Sequence, residues 1–194
     1  MKPVVLLLIG MTLAPAVLAA DLPAGWVRAG KAPDDYVMGL DTSVRHTGSA
    51  SAFVRARKET PAGFGTLMQM ASAEAYRGKR VRLSAWVKSE MIDGEAWAGL
   101  WLRIDGERPQ QDVLGFDNMQ DRPIKGTIDW TRVAIVLDVP QEAQQMGFGV
   151  LLGGVGQVWM DDLKFEVVGL DVPVTGTSGP KRTTQGPKNL DFEE

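Results

Sequence analysis

The chain has no cysteine and one histidine, His46. Without cysteine there is no disulfide framework, no thiolate nucleophile and no thiolate metal site, so stability has to come from an apolar core. A lone histidine leaves little from which to build a Ser-His-Asp relay or a multi-histidine metal centre. The sequence also lacks the phosphate-cradling glycine loop, the dinucleotide-binding glycine pattern, the GxSxG elbow and the HExxH helix motif. Lys and Arg form no run interleaved with aromatics and the formal net charge is -3, so the basic footprint of a nucleic-acid binder is missing. No segment shows an amphipathic helical period over three turns, and 22 Gly and 11 Pro scattered through the chain argue against long helices.

The longest apolar run lies at the start. Lys2, an apolar stretch over residues 4–13, Pro15 and small residues up to Ala20 form the pattern of a secretory signal cleaved after Ala19 or Ala20. The run is shorter than the ~20 residues a spanning helix needs. No second stretch is long enough to cross a bilayer. The expected organisation is a signal over residues 1–20, one exported domain over 21–169, periplasmic or extracellular, and a Pro/Gly/Thr-rich flexible tail over 170–194.

Between signal and tail, short segments with period-two alternation are separated by Gly, Pro, Asp and Asn. This pattern predicts an all-β, two-sheet antiparallel sandwich, with strands at residues 50–56, 65–70, 80–88, 96–104, 132–139, 147–152 and 157–168. Single helical turns are expected only near 72–77 and 141–145.

Alternation assigns the faces. Val81, Leu83, Ala85 and Val87 point one way, leaving Arg82, Ser84, Trp86 and Lys88 on the other side. In the next strand Ala98, Leu100, Leu102 and Ile104 point inward and Trp97, Gly99, Trp101 and Arg103 outward. Paired as a hairpin, the two strands put Trp86, Trp97 and Trp101 on one surface with Arg82 and Arg103. Gln69, flanked by Met68 and Met70, joins that face, and Gly147 and Gly149 leave room above the sheet. Flat indoles beside hydrogen-bonding groups suit sugar rings, whose C–H faces stack on aromatics while their hydroxyls meet polar side chains. The expected partner is a glycan or envelope polysaccharide, with a protein partner or a second copy as the open alternative. The segment 106–128 is long enough to cover the face. Trp26, Trp130 and Trp159 are expected to hold the two sheets together.

No acidic residue stands at an outward position in the middle of the aromatic strands, where a glycosidase would need paired carboxylates. The polar segment FDNMQDRP, residues 116–123, forms at most a rim. The expected role is noncatalytic binding without a cofactor.

The closing stretch GTIDWTRVAIVLDVPQEAQQMGFGVLLGGVGQVWMDDLKFEVV resembles the last strands of galactose-binding-like jelly rolls, notably carbohydrate-binding modules of bacterial glycanases. Trp130 opens a strand that ends at Val139 and Pro140, a Gly-rich strand follows, and the last strand carries Trp159, Asp161, Asp162 and Leu163. GWV at residues 25–27, HTGSASAFVRA and YRGKRVRLSAWVKS fit the same pattern. The resemblance implies an eight-to-ten-strand jelly roll with a concave face that in many relatives binds sugar chains, and in some a structural calcium. Asp161 and Asp162 are the one local feature suited to such an ion, against the six or more oxygens calcium takes. Strand-end hydrogen bonding is the expected role of the pair. Domains of this type open on an Asn-Leu-x-Phe-Glu strand. Here that pattern stands at residues 189–193, either as the opening of a second module or as a strand returned by the tail.

Overall fold

A computed structural model describes residues 21–178. The signal segment and residues 189–193 lie outside them. Among the described residues eleven strands form two antiparallel sheets. The six-stranded sheet runs β1 (Val27–Gly30), β4 (Phe64–Ser72), β9 (Gln145–Gly153), β6 (Trp97–Asp105), β7 (Val113–Asp117) and β11 (Thr177–Ser178). The five-stranded sheet runs β2 (Tyr36–Asp41), β3 (Ser51–Ala56), β10 (Gln157–Val168), β5 (Lys79–Ile92) and β8 (Gly126–Val139). Among the described residues there is no α-helix, only 3₁₀ turns at Pro33–Asp35 and Glu74–Tyr76. The all-β sandwich and all seven predicted strands are present. The four additional strands are short or carry too few alternating residues to register as a pattern.

The core lies between the sheets and follows the alternation. Val81, Leu83, Ala85 and Val87 of β5 are buried against Ala98, Leu100, Leu102 and Ile104 of β6, with Ile135 and Leu137 of β8 and Val150 and Leu152 of β9. At about 1.5–3 kcal/mol for each large aliphatic side chain removed from water, this layer is the main stabilising term in a protein without disulfides.

β5 and β6 do not form the expected hairpin. β5 pairs with β10 and β8, and β6 with β9 and β7. Around residues 89–97 the register of β5 breaks at Ser89 and Ile92, Met91 and Gly94 take φ values of 53° and 58°, and the chain passes to the opposite sheet. A crossover between sheets turns both apolar faces toward one core just as a hairpin would, so alternation alone cannot distinguish them. Trp86 and Arg82 therefore lie on the outer face of the five-stranded sheet, away from Trp97, Trp101 and Arg103.

The expected tail boundary moves outward. Beyond Gly169, Arg80 donates to the carbonyls of Leu170 and Val172 at 2.8 and 2.7 Å while its other nitrogens grip Asp138. Thr175 donates its amide to Val136 and its hydroxyl to the buried Asp117 carboxylate at 2.5 Å. β11 then adds to β7, with Thr177 opposite Phe116. Side-chain anchors hold this stretch together with Val174, which packs against the core, and composition does not register the anchors.

Trp159 and Trp130 depart from the expected inter-sheet role. Trp159 is buried, but with Val37 and Phe53 in a separate cluster on the outer face of the five-stranded sheet, and Trp130 is half-buried beside it. Trp26 alone of the three packs on the main core, edge-on to Phe148 at 5.8 Å. The cover over the outer cluster is the 42–50 loop. His46 stacks on Trp86 at 4.1 Å with the rings 16° apart, and its Nδ1 lies 2.7 Å from Asp162. Asp161 accepts the amides of His46 and Thr47, and Asp162 accepts the Thr47 hydroxyl. The acidic pair thus sits at a bulge inside β10, not at the strand end expected, and its hydrogen bonds hold the loop.

Asp41 fixes the other end of this loop. Burial works to raise its carboxyl, but hydrogen bonds from Ser43, Trp159 Nε1 and Val44 outweigh it and hold the carboxyl down to about 2. A folded-state value below the unfolded one, ~3.9, gives stabilisation that is complete above that value and lost as pH falls toward 2. Asp41→Asn is expected to cost about 1–2 kcal/mol at pH 7, after discounting for partial exposure, and to flatten the decline in stability between about pH 4 and 2. Urea unfolding at a series of pH values measures both; an unchanged acid limb would contradict the assignment.

Candidate functional site

The outer face of the six-stranded sheet carries a cleft of about 790 Å³. Its floor is β9. The outward positions of this strand are Gly147, Gly149, Leu151 and Gly153, facing Met70, Met68, Thr66 and Phe64 of β4 on one side and Arg103, Trp101, Gly99 and Trp97 of β6 on the other. Three glycines in this central strand leave space that the flanking strands use, with Met70 and Trp101 over Gly147 and Trp97 beside Gly153, and Leu151 is the β9 side chain that lines the cleft. The segment 106–128 contributes a wall through Pro109, Gln110, Phe116 and Asn118. It does not close over the face as a lid. The Asn118 carbonyl lies where a Cβ on Gly99 would stand, so glycine at that position lets the wall approach β6.

The two tryptophans of β6 differ. Trp101 is 6% exposed, and its Nε1 donates to Thr66 Oγ1 at 2.8 Å, which in turn donates to the Val150 carbonyl at 2.8 Å. Its ring fills the space above Gly147, the room that the sequence leaves for a large neighbour. Trp97 is half-buried, with Nε1 beside Gly153 and its ring among the cleft-lining groups. Trp101 is thus a structural wall and Trp97 an available surface.

Arg103 lines the cleft and donates Nε to both oxygens of Asp105, at 2.9 and 3.0 Å. Asp105 is fully buried and also accepts the Gln110 amide. Among the described residues Arg103 is the one ionisable side chain in the lining.

Of the six residues expected to share one face, Trp97, Trp101 and Arg103 are brought together. Trp86 and Arg82 lie on the opposite sheet, facing Asp161 and Glu166 of β10 respectively. Gln69 pairs with Phe148 on the inter-sheet side and donates to the Gly25 carbonyl, while its neighbours Met68 and Met70 face the cleft. The parity of β4 was inverted because apolar residues were assigned to the core, whereas here the outer face is itself apolar. Phe64, Met68 and Met70 were missed for the same reason. Phe116 and Asn118 carried no periodic signal.

No protein-family model matches the sequence. A curated relative, the uncharacterized HTH-type transcriptional regulator YbfP of Bacillus subtilis, is 44% identical over 171 residues, which cover 88% of this chain. The chain spans 57% of that protein's length, and no helix-turn-helix occurs among the described residues. Among solved structures, the CBM22-1 xylan-binding domain from Paenibacillus barcinonensis Xyn10C superposes with a TM-score of 0.51 at 15% identity, covering 77% of this chain and 90% of that one. A Stig cyclase from Fischerella sp. TAU, bound to an indole compound, gives 0.55 at 15% identity over 77% of this chain and 89% of that one. At such identities the likeness speaks to architecture, and modules named for binding share it with enzymes. With the sheet order described above, the likeness shows the fold: a two-sheet antiparallel jelly-roll sandwich.

Proposed function

We propose that the domain is an exported, noncatalytic glycan-binding module whose site is the cleft over β9. The observation that carries this reading is the half-buried indole of Trp97 in a cleft whose polar side chains are Arg103, Thr66 and the amides of Gln110, Asn118 and Gln145. An indole supplies the platform for a sugar's C–H face, and amides and a guanidinium supply partners for its hydroxyls. Fold likeness to xylan-binding modules adds support. The absence of a lining carboxylate among the described residues favours binding over glycoside hydrolysis, which needs two. Export rests on the signal-like first twenty residues. No described helix is long and apolar enough to cross a membrane.

Affinity gel electrophoresis against xylan, β-glucan and galactan tests the reading. Wild type is expected to be retarded by at least one polysaccharide, and Trp97→Ala to lose roughly tenfold or more of that affinity with an unchanged circular dichroism spectrum. Full retention of Trp97→Ala would remove the cleft from consideration.

The second reading is a protein contact through the same face. Phe64 and Met70 stand about 40% exposed at the cleft margin, an apolar rim that a protein surface could cover. Sedimentation across a concentration series, with Phe64→Ser as control, separates this from sugar binding.

A further inference from the structure

The cleft is apolar and holds one formal charge, which is countered at its source. Arg103 gives Nε to a carboxylate that is itself completely removed from solvent. Nη1 and Nη2 make no hydrogen bond among the described residues, so their donors remain available on the cleft side. The other buried donors are spent: Trp101 Nε1 on Thr66, and the Thr66 hydroxyl on Val150. No other Lys, Arg, Asp or Glu among the described residues lines the cleft.

We infer that the cleft takes uncharged glycans and discriminates against acidic ones, and that Asp105 is the positioning residue responsible. The inference rests on the glycan reading and goes beyond it by naming the ligand's charge class. An anion approaching the Nη atoms meets the guanidinium and, close behind it, the Asp105 carboxylate. The carboxylate's repulsion offsets part of the guanidinium's attraction, and what is left has to meet the cost of taking the anion out of water into an apolar cleft. A neutral hydroxyl or ring oxygen has no net charge to be repelled. It needs only an oriented donor, which the Nε–carboxylate contact supplies by fixing the plane of the guanidinium. Removing the carboxylate charge would release a net cation into the cleft, so the same substitution weakens neutral ligands and admits acidic ones. Selection by an internal counter-charge is a case of specificity achieved against the wrong partner.

The experiment uses the full chain and five polysaccharides, with xylan, β-glucan and galactan as neutral probes and polygalacturonate and alginate as acidic probes, each at 20 and 300 mM NaCl. Wild type is expected to bind at least one neutral probe with less than about a twofold change between salts, and the acidic probes roughly tenfold more weakly. Asp105→Asn is expected to lose about tenfold on the neutral probe and to gain salt-sensitive binding to an acidic one. That exchange of preference is a result which mere loss of packing would not produce. The wild-type salt and charge comparisons stand without the variant should it fail to fold. Retention of acidic probes alone, or neutral binding that weakens steeply with salt, would overturn the inference and leave the glycan reading intact. Retention of none of the five would overturn both.

Discussion

Trp101→Ala is expected to lower the unfolding free energy by about 3–5 kcal/mol, while Trp97→Ala, two turns of the pleat away on the same strand, costs less than about 1.5 kcal/mol. Trp101 reaches from β6 across β9 to β4, is buried there, packs over a glycine that offers no side chain to take its place, and donates to the Thr66 hydroxyl. Truncation leaves a void whose backbone floor cannot collapse into it, because Gly149 already sits against the Leu67 carbonyl and the Met68 backbone. Trp97 is partly solvated and lies toward the end of the cleft, so its loss changes the surface more than the interior. Trp101→Phe refines the comparison. It keeps most of the ring and removes the Nε1 donor, and about 1–2 kcal/mol of loss is expected. Chemical denaturation followed by far-ultraviolet circular dichroism measures all three. Equal losses for Trp97→Ala and Trp101→Ala would contradict the division between platform and wall.

The second large effect concerns residues 170–178. A chain ending at Gly169 is expected to be about 3–5 kcal/mol less stable than one ending at Ser178, a fall in melting temperature of roughly 10 °C for a domain of this size. The shorter chain lacks the acceptors that Leu170 and Val172 present to Arg80, the Thr175 hydroxyl on Asp117, and the strand that covers the β7 edge. Asp117 also binds Arg122 through both oxygens and accepts the Met119 amide, so it ties the cleft's outer wall to this segment. Asp117→Ala in the longer chain should cost a similar amount, by leaving Arg122 half-buried without its main partner. Combined, truncation and substitution should fall short of the sum, since both remove the Thr175 contact. Full additivity would mean that the two act independently.

The fold was legible where one face of a strand is apolar and the other polar. β5 and β6 carry that contrast, and their inward residues are those the alternation names. What the contrast cannot encode is which sheet a strand joins, and this separated Trp86 from Trp97. It also fails where both faces are apolar for different reasons. On β4, Leu67 serves the core while Met68 and Met70 line the cleft, and Gln69 reads as outward only if methionines are presumed inward. Trp159 misled in the opposite sense, as a buried aromatic outside the main core under a loop held by Asp41, Asp161 and Asp162. Polar anchors such as Arg80 and Asp117 join residues 58 to 92 positions apart, a distance at which no local pattern survives.

The β9 glycines have a consequence for how such a cleft can diversify. Main chain sets its depth, and at Gly149 a Cβ would stand 2.1 Å from the Leu67 carbonyl, so a substitution there cannot fill the trough without parting β4 from β9. Residues 64, 68, 70, 97 and 103 on the flanking strands are under no such constraint. Chemical preference can therefore drift through the walls while the receptacle is inherited unchanged, and directed evolution of a new specificity should accept changes at the walls far more readily than on the floor.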